Sequence, residues 1–130
     1  MELWHGSQKI IETPQLGLGK IHNDYGQGFY CTESLDLARE WACSRDADGF
    51  ANCYELDIAD LKILDLLSPQ YCVLHWIALL VEHRSFRKDT AIAAGACEYL
   101  HDHFLPRTST CDVIRGGVRT TRTLAMPGHL

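Results

Sequence analysis

Short hydrophobic runs of period two and of period 3.6 follow one another along this chain in no repeating order, and that irregularity limits the fold more than any other feature. Glu2-Leu3-Trp4-His5 and Gly28-Phe29-Tyr30-Cys31-Thr32 read as short strands. Ser34 is placed to N-cap a helix with Asp36 in its first turn. Leu37, Ala38, Trp41 and Ala42 share one face of that helix, which ends near Cys43. Residues 53–58 alternate as a half-buried strand with Tyr54, Leu56 and Ile58 on one side, and residues 61–66 suggest another. Residues 71–83 read as a buried helix, residues 90–104 as an Ala-rich one, and residues 110–114 as a last strand. A doubly wound sheet needs strand and helix in regular alternation. This order lacks it, so an α+β fold is expected.

The 130 residues suffice for one core and not two. The formal charge of -5 is spread along the chain and does not attract phosphate backbones, which argues against a dedicated nucleic-acid module. Six cysteines stand at irregular, wide gaps with no Cys-x-x-Cys pair and no histidine at metal spacing, so they read as small apolar residues in a reduced compartment and no metal is expected. The opening Met1-Glu2-Leu3-Trp4-His5 has neither a basic start nor an apolar run, and no stretch approaches the ~18 apolar residues of a membrane span. A cytoplasmic protein without a membrane partner is the expectation. The segment after Gly116 changes character: from Arg115 onward there are three arginines and no acid, with Gly116-Gly117 and Pro127-Gly128. Residues 1–116 are therefore expected to form the domain and residues 117–130 an irregular tail.

Two segments carry chemistry. In Leu3-Trp4-His5-Gly6-Ser7 a strand ends in a histidine and a glycine, which aims an imidazole into a cleft and lets a ligand approach the backbone. A histidine of this kind, taken alone, is more often structural. In Asp24-Tyr25-Gly26-Gln27-Gly28-Phe29-Tyr30-Cys31-Thr32 two glycines straddle Gln27 and an aromatic pair follows. Alone, this is a glycine-rich turn feeding a core strand. It is neither a dinucleotide fingerprint nor a phosphate loop, since Gly-x-Gly-x-x-Gly and Gly-Lys-Ser/Thr are absent. The remaining signals are weak. His101-Asp102-His103 point apart on a helix, and Arg84, Arg87 and Lys88 form a small basic cluster near a helix end.

Taken in order, the two segments resemble the ADP-ribosyltransferase-like superfamily, in its poly-ADP-ribose-polymerase-like branch with a His-Tyr-x signature. The closer likeness is to a family of small bacterial proteins of unassigned function within it. That family shares the run from Asp24 to Thr32, Ala-x-x-Trp-Ala at Ala38 to Ala42, and Tyr-x-Leu-Asp at Tyr54 to Asp57. The resemblance implies a split mixed β-sheet with flanking helices, here C-terminally truncated, and NAD as substrate. It implies that His5 hydrogen-bonds a ribose hydroxyl, that the Gly6 backbone pairs with the nicotinamide carboxamide, and that Ser7 lines the adenosine side. Phe29 belongs to the same NAD-binding run. Tyr30 would lie on one face of the nicotinamide and Trp41 on the other, His5 and Tyr30 being the catalytic pair. A flat cationic ring is well held between aromatic faces. Loss of nicotinamide leaves an oxocarbenium-like ribose, which fixed polar groups must favour over the ground state.

The superfamily's third motif, a Glu or Gln on a late strand, has no convincing counterpart. Glu55 is early, Glu98 falls in a helix, and the surroundings of Asp112 do not match. The expected function is a mono-ADP-ribosyltransferase or NAD glycohydrolase. By resemblance it would be a bacterial toxin with an antitoxin as protein partner and an acceptor of unstated chemistry. The alternative is an inactive, truncated domain that binds NAD or another protein. Trp41 also has a plainer reading, as a core aromatic at helical spacing with Leu37 and Ala38.

Overall fold

The computed structural model describes residues 1–15, 24–84, 88–116 and 123–127. Nine elements follow in the order β1 (Glu2–Ser7), β2 (Gly28–Thr32), α1 (Leu35–Ala42), β3 (Phe50–Glu55), β4 (Ile63–Asp65), α2 (Val73–His83), α3 (Ala91–Phe104), β5 (Val113–Gly116) and β6 (Thr123–Pro127). The strands form one six-stranded sheet in the order β3-β1-β2-β6-β5-β4. Every neighbouring pair is antiparallel except β4 and β5, which run parallel. The fold is α+β with a mixed sheet, as the irregular order of elements requires.

The tail is where sequence and structure differ most. Residues 123–127, expected to be irregular, form β6, which pairs with β2 on one side and β5 on the other. The reason lies in the backbone. A strand flanked by two open edges gains ladder hydrogen bonds on both sides whatever its own propensity, and β propensity yields to such context. The expected boundary at Gly116 therefore cuts through the sheet.

Adjacent strand residues point to opposite faces, and each face of the sheet has its own core. On one face Leu3, Phe29, Cys31 and Val113 are buried together, with Ile11 and Tyr54 packed beside them. On the other, Tyr25, Leu64, Leu66, Leu79, Cys111 and Ile114 are buried, with Tyr30 and Trp76 against them. Each fully buried aliphatic side chain contributes about 1.5–3 kcal/mol. Helix α1 lies on the second face. Ser34 caps it, its hydroxyl accepting from the Leu37 N–H at 3.2 Å. Ala38 and Ala42 turn toward β1, and a Cβ on Gly6 would come within 2.2 Å of the Ala38 carbonyl oxygen. Small residues on both partners let the helix rest on the strand.

Helix α2 departs from its expected burial. Only Ala78 and Leu79 are fully buried, while Val73 and Leu74 are exposed. Helix α3 packs against α2 rather than the sheet and has no buried residue; its Ile92 is 87% exposed. An apolar helix needs cover on every side, and one neighbour covers only one. The cysteines divide likewise: Cys31 and Cys111 are buried, but Cys43, Cys53 and Cys72 are exposed. All six are free thiols.

The turn before β2 is docked onto α2. The Tyr25 hydroxyl accepts from the Trp76 indole N–H at 3.1 Å. Gly26 adopts φ +87°, which glycine alone takes without strain, and the His83 ring lies over it. Arg84, which ends α2, pairs with Asp24 at 2.5 Å. Arg87 lies outside the described residues. No helix among the described residues is long and apolar enough to cross a membrane.

Candidate functional site

Strand β1 pairs with β3 along its whole length, from Glu2↔Glu55 to Ser7↔Phe50. With β2 it shares a single register pair, Trp4↔Thr32. Beyond that pair no further register pair joins the two strands. In the register it sets, Gly6 comes opposite Tyr30 with no ladder between them. Within the one six-stranded sheet, this gap in the ladder is a local split between β1 and β2, at the segments Leu3 to Ser7 and Gly28 to Thr32.

His5 spans the split. Its Nδ1 lies 2.5 Å from the Tyr30 carbonyl oxygen. A carbonyl only accepts, so Nδ1 carries a proton, and in the neutral form of such a ring Nε2 is the lone-pair acceptor. The imidazole stacks on Phe29 with centroids 4.2 Å apart and an interplanar angle of 25°. Both rings border an open groove of about 560 Å³. Its other wall is the segment after β1, with Lys9, Ile10, Ile11, Glu12, Thr13 and Gln15, and Gly28 completes the lining. The groove offers an apolar floor, one cation, one carboxylate and the His5 acceptor.

The remaining expected residues sit differently. Tyr30 points to the face opposite His5 and Phe29. Its ring runs parallel to Tyr25, with 6.3 Å between centroids, and its hydroxyl donates to the Gly26 carbonyl at 2.6 Å while accepting from the Tyr25 N–H at 2.9 Å. Burial pushes the Tyr30 hydroxyl up to about 12, although the bond from Tyr25 works the other way. It is therefore neither a base nor a free donor. Gly6 and Trp41 share this second face, with the Trp41 Cβ 2.8 Å from where a Gly6 Cβ would be. Trp41 is 41% exposed, on the rim of α1 rather than in its core. Ser7 ends β1, its hydroxyl accepting from the Lys9 N–H at 3.2 Å. The structure thus brings His5 and Phe29 together on one face of the sheet and Gly6, Tyr30 and Trp41 on the other, where the sequence suggests one pocket.

Cys31 stands opposite His5 in the register set by Trp4 and Thr32, but burial pushes its thiol up to about 12, so the two make no nucleophilic pair. Among the described residues no cluster of His, Cys, Asp or Glu could hold a metal ion. A second groove of about 240 Å³ lies between α2 and α3, with Glu82, Glu98 and His101 on its walls. His101 also approaches Asp102 at 3.2 Å, on an exposed surface.

The model of a family described as a protein of unknown function, DUF3990, matches residues 1–125. The chain belongs to that family. The match covers the split, the groove and part of β6, and so runs past Gly116. No curated protein and no solved structure matches the chain.

Two residues at this site were not singled out as functional by the sequence reading. Asn52 is buried opposite His5 on β3, and Tyr54 lies two residues on along the same face. Asn52 donates to the carbonyls of His5 and Lys9 and accepts from the Ile11 N–H, and Tyr54 donates to the Ile11 carbonyl. The alternation suggested a strand over residues 53–58, whereas β3 spans Phe50–Glu55, so Asn52 fell just outside the expected strand. Pattern alone does not separate such a residue from a solvent-facing one.

Proposed function

We propose that this chain is an ADP-ribosyltransferase-like domain that takes NAD as its substrate in the cytoplasm, as a mono-ADP-ribosyltransferase or an NAD glycohydrolase. The observation that carries the reading is the split between β1 and β2, spanned by His5 with Nε2 left as an acceptor. A strand edge without a ladder partner at Gly6 suits a planar carboxamide, which needs one donor and one acceptor at fixed spacing. Nε2 suits a ribose hydroxyl. Trp41 and Tyr30, on the Gly6 side, supply aromatic surface for a cationic ring. The reaction breaks the bond between the nicotinamide nitrogen and the ribose carbon, whose electrons leave with nicotinamide. Water or an acceptor nucleophile then bonds to that carbon and gives up a proton. The part of His5 is to hold the ribose while charge develops on it. A toxin of this kind would be silenced by a protein partner that covers the split.

A second reading is favoured by two specific observations. Ala125 stands opposite Tyr30 on β6, and no residue of that strand is acidic. The Tyr30 hydroxyl is already engaged by Gly26 and Tyr25. A domain so built binds NAD without turning it over.

Nicotinamide release by the whole chain separates the readings, measured beside His5→Ala and Trp41→Ala. Release that falls about a hundredfold in the His5 variant supports the enzyme. No release, with an NAD-dependent rise in melting temperature that His5→Ala abolishes, supports the binding module. Neither signal in a folded protein ends both.

A further inference from the structure

We infer that Asn52 is a positioning residue: it holds the Lys9–Ile11 wall of the groove to the strand carrying His5, and so sets how tightly the groove takes its ligand. Its role toward NAD rests on the function proposed above; its role in placing the wall does not.

Asn52 is 8% exposed, and every polar group of its side chain is engaged. The Nδ2 group donates to the His5 carbonyl and the Lys9 carbonyl, both at 3.2 Å, and Oδ1 accepts from the Ile11 N–H at 2.9 Å. The network fixes the orientation of the amide, because turning it over would set oxygen against two carbonyls and nitrogen against an N–H. All three partners are backbone groups of residues 5 to 11. The side chain therefore does what a further strand would do, satisfying main-chain groups where the chain leaves β1. Tyr54 adds the Ile11 carbonyl, so both polar groups of that peptide position are tied to β3.

The consequence concerns the groove more than the core. Lys9, Ile10 and Ile11 form the wall facing His5 and Phe29, and Ile10 is 67% exposed, so its own packing does not hold it there. Asn52 grips His5 and this wall through one planar amide, which fixes the distance between the imidazole and the surface opposite. Neither Asn52 nor Tyr54 lines the groove, so the two act on a ligand only through what they hold.

The test uses the full chain with Asn52→Asp and Tyr54→Phe, both checked for folding by circular dichroism and melting. Asn52→Asp keeps an acceptor for Ile11 but turns an oxygen toward two carbonyls; Tyr54→Phe removes one hydroxyl and leaves the packing. In nicotinamide release, KM for NAD should rise roughly tenfold in Asn52→Asp and less in Tyr54→Phe, with kcat within about twofold, the mark of lost uniform binding. Unchanged KM in the folded variants overturns the inference. If the wild type neither releases nicotinamide nor gains melting temperature with NAD, the NAD reading falls, and amide hydrogen exchange decides the placement. Faster exchange at Ile11 in both variants, with α1 and α2 unchanged, supports it; equal exchange overturns it.

Discussion

Tyr30 meets His5 with its backbone and sends its hydroxyl the other way. The carbonyl lies 2.5 Å from Nδ1 of His5, and the hydroxyl bridges the Gly26 carbonyl and the Tyr25 N–H on the opposite face of the sheet. Residues that the sequence pairs as one catalytic unit therefore do separable work, and substitution can tell them apart.

Tyr30→Phe should cost stability and leave the placement of His5 intact. It removes two partly buried hydrogen bonds, a loss of about 1–3 kcal/mol. The melting temperature should fall by several degrees, while the carbonyl still receives Nδ1. A variant as stable as the wild type would show that the Gly26–Tyr25 bridge carries no load.

Alkaline titration should expose the tyrosines. Burial pushes the hydroxyls of Tyr25 and Tyr30 from 10.0 up to about 12. The folded state thus keeps these protons longer than the unfolded chain does. Their contribution is complete below pH 10 and is lost as pH rises from about 10 toward 12. Denaturant midpoints measured across that range should drop, and the drop should be smaller in Tyr30→Phe.

His83 sets the opposite slope on the acid side. Burial lowers its pKa below the ordinary 6.5, against a smaller upward pull from Glu82. The unfolded chain then binds more protons than the folded one just below pH 6.5, so stability is held above that value and lost as pH falls through the folded pKa. Chemical denaturation at pH 7.5 and at pH 5.5 should show the loss. His83→Gln should flatten the part of it that His83 causes; an unaltered slope would assign it elsewhere.

Two glycines should respond with opposite signs. At Gly6 a new Cβ would sit 2.2 Å from the Ala38 carbonyl oxygen and 2.7 Å from the Ala42 nitrogen, both backbone atoms of a packed helix. Gly6→Ala should cost about 3 kcal/mol or more, or prevent folding. Gly95 lies within α3 with nothing within 4 Å of its Cβ position, so Gly95→Ala should stabilise by about 0.5–1 kcal/mol. Melting curves of the two variants check both signs.

Local signals were legible where the cause is local. Ser34 was readable as a cap because its hydroxyl needs only a backbone N–H three residues on, and β2 because its run follows a glycine-rich turn. Distant causes left no such mark. Strand β6 exists through the edges of β2 and β5, and nothing within residues 123–127 reports them. The exposure of Val73 and Ile92 depends on which helix face meets a neighbour. At the candidate site the residue types were readable, but the division of His5 and Phe29 from Tyr30 and Trp41 was not. It follows from strand alternation, which becomes informative only once the register of Trp4 and Thr32 is known.

Strand β6 lies between two blocks, β3-β1-β2 and β5-β4, and among the described residues it is the strand that joins them in the sheet order. A ribosome makes the chain from its amino end, so the β3-β1-β2 block is made well before β6, whereas β5 precedes β6 by only a few residues. Until then β2 and β5 each present an open edge, and the bridge must close over a large sequence separation, which slows folding. The nascent chain is therefore open to mispairing with its neighbours along β2 until residues 123–127 have been made.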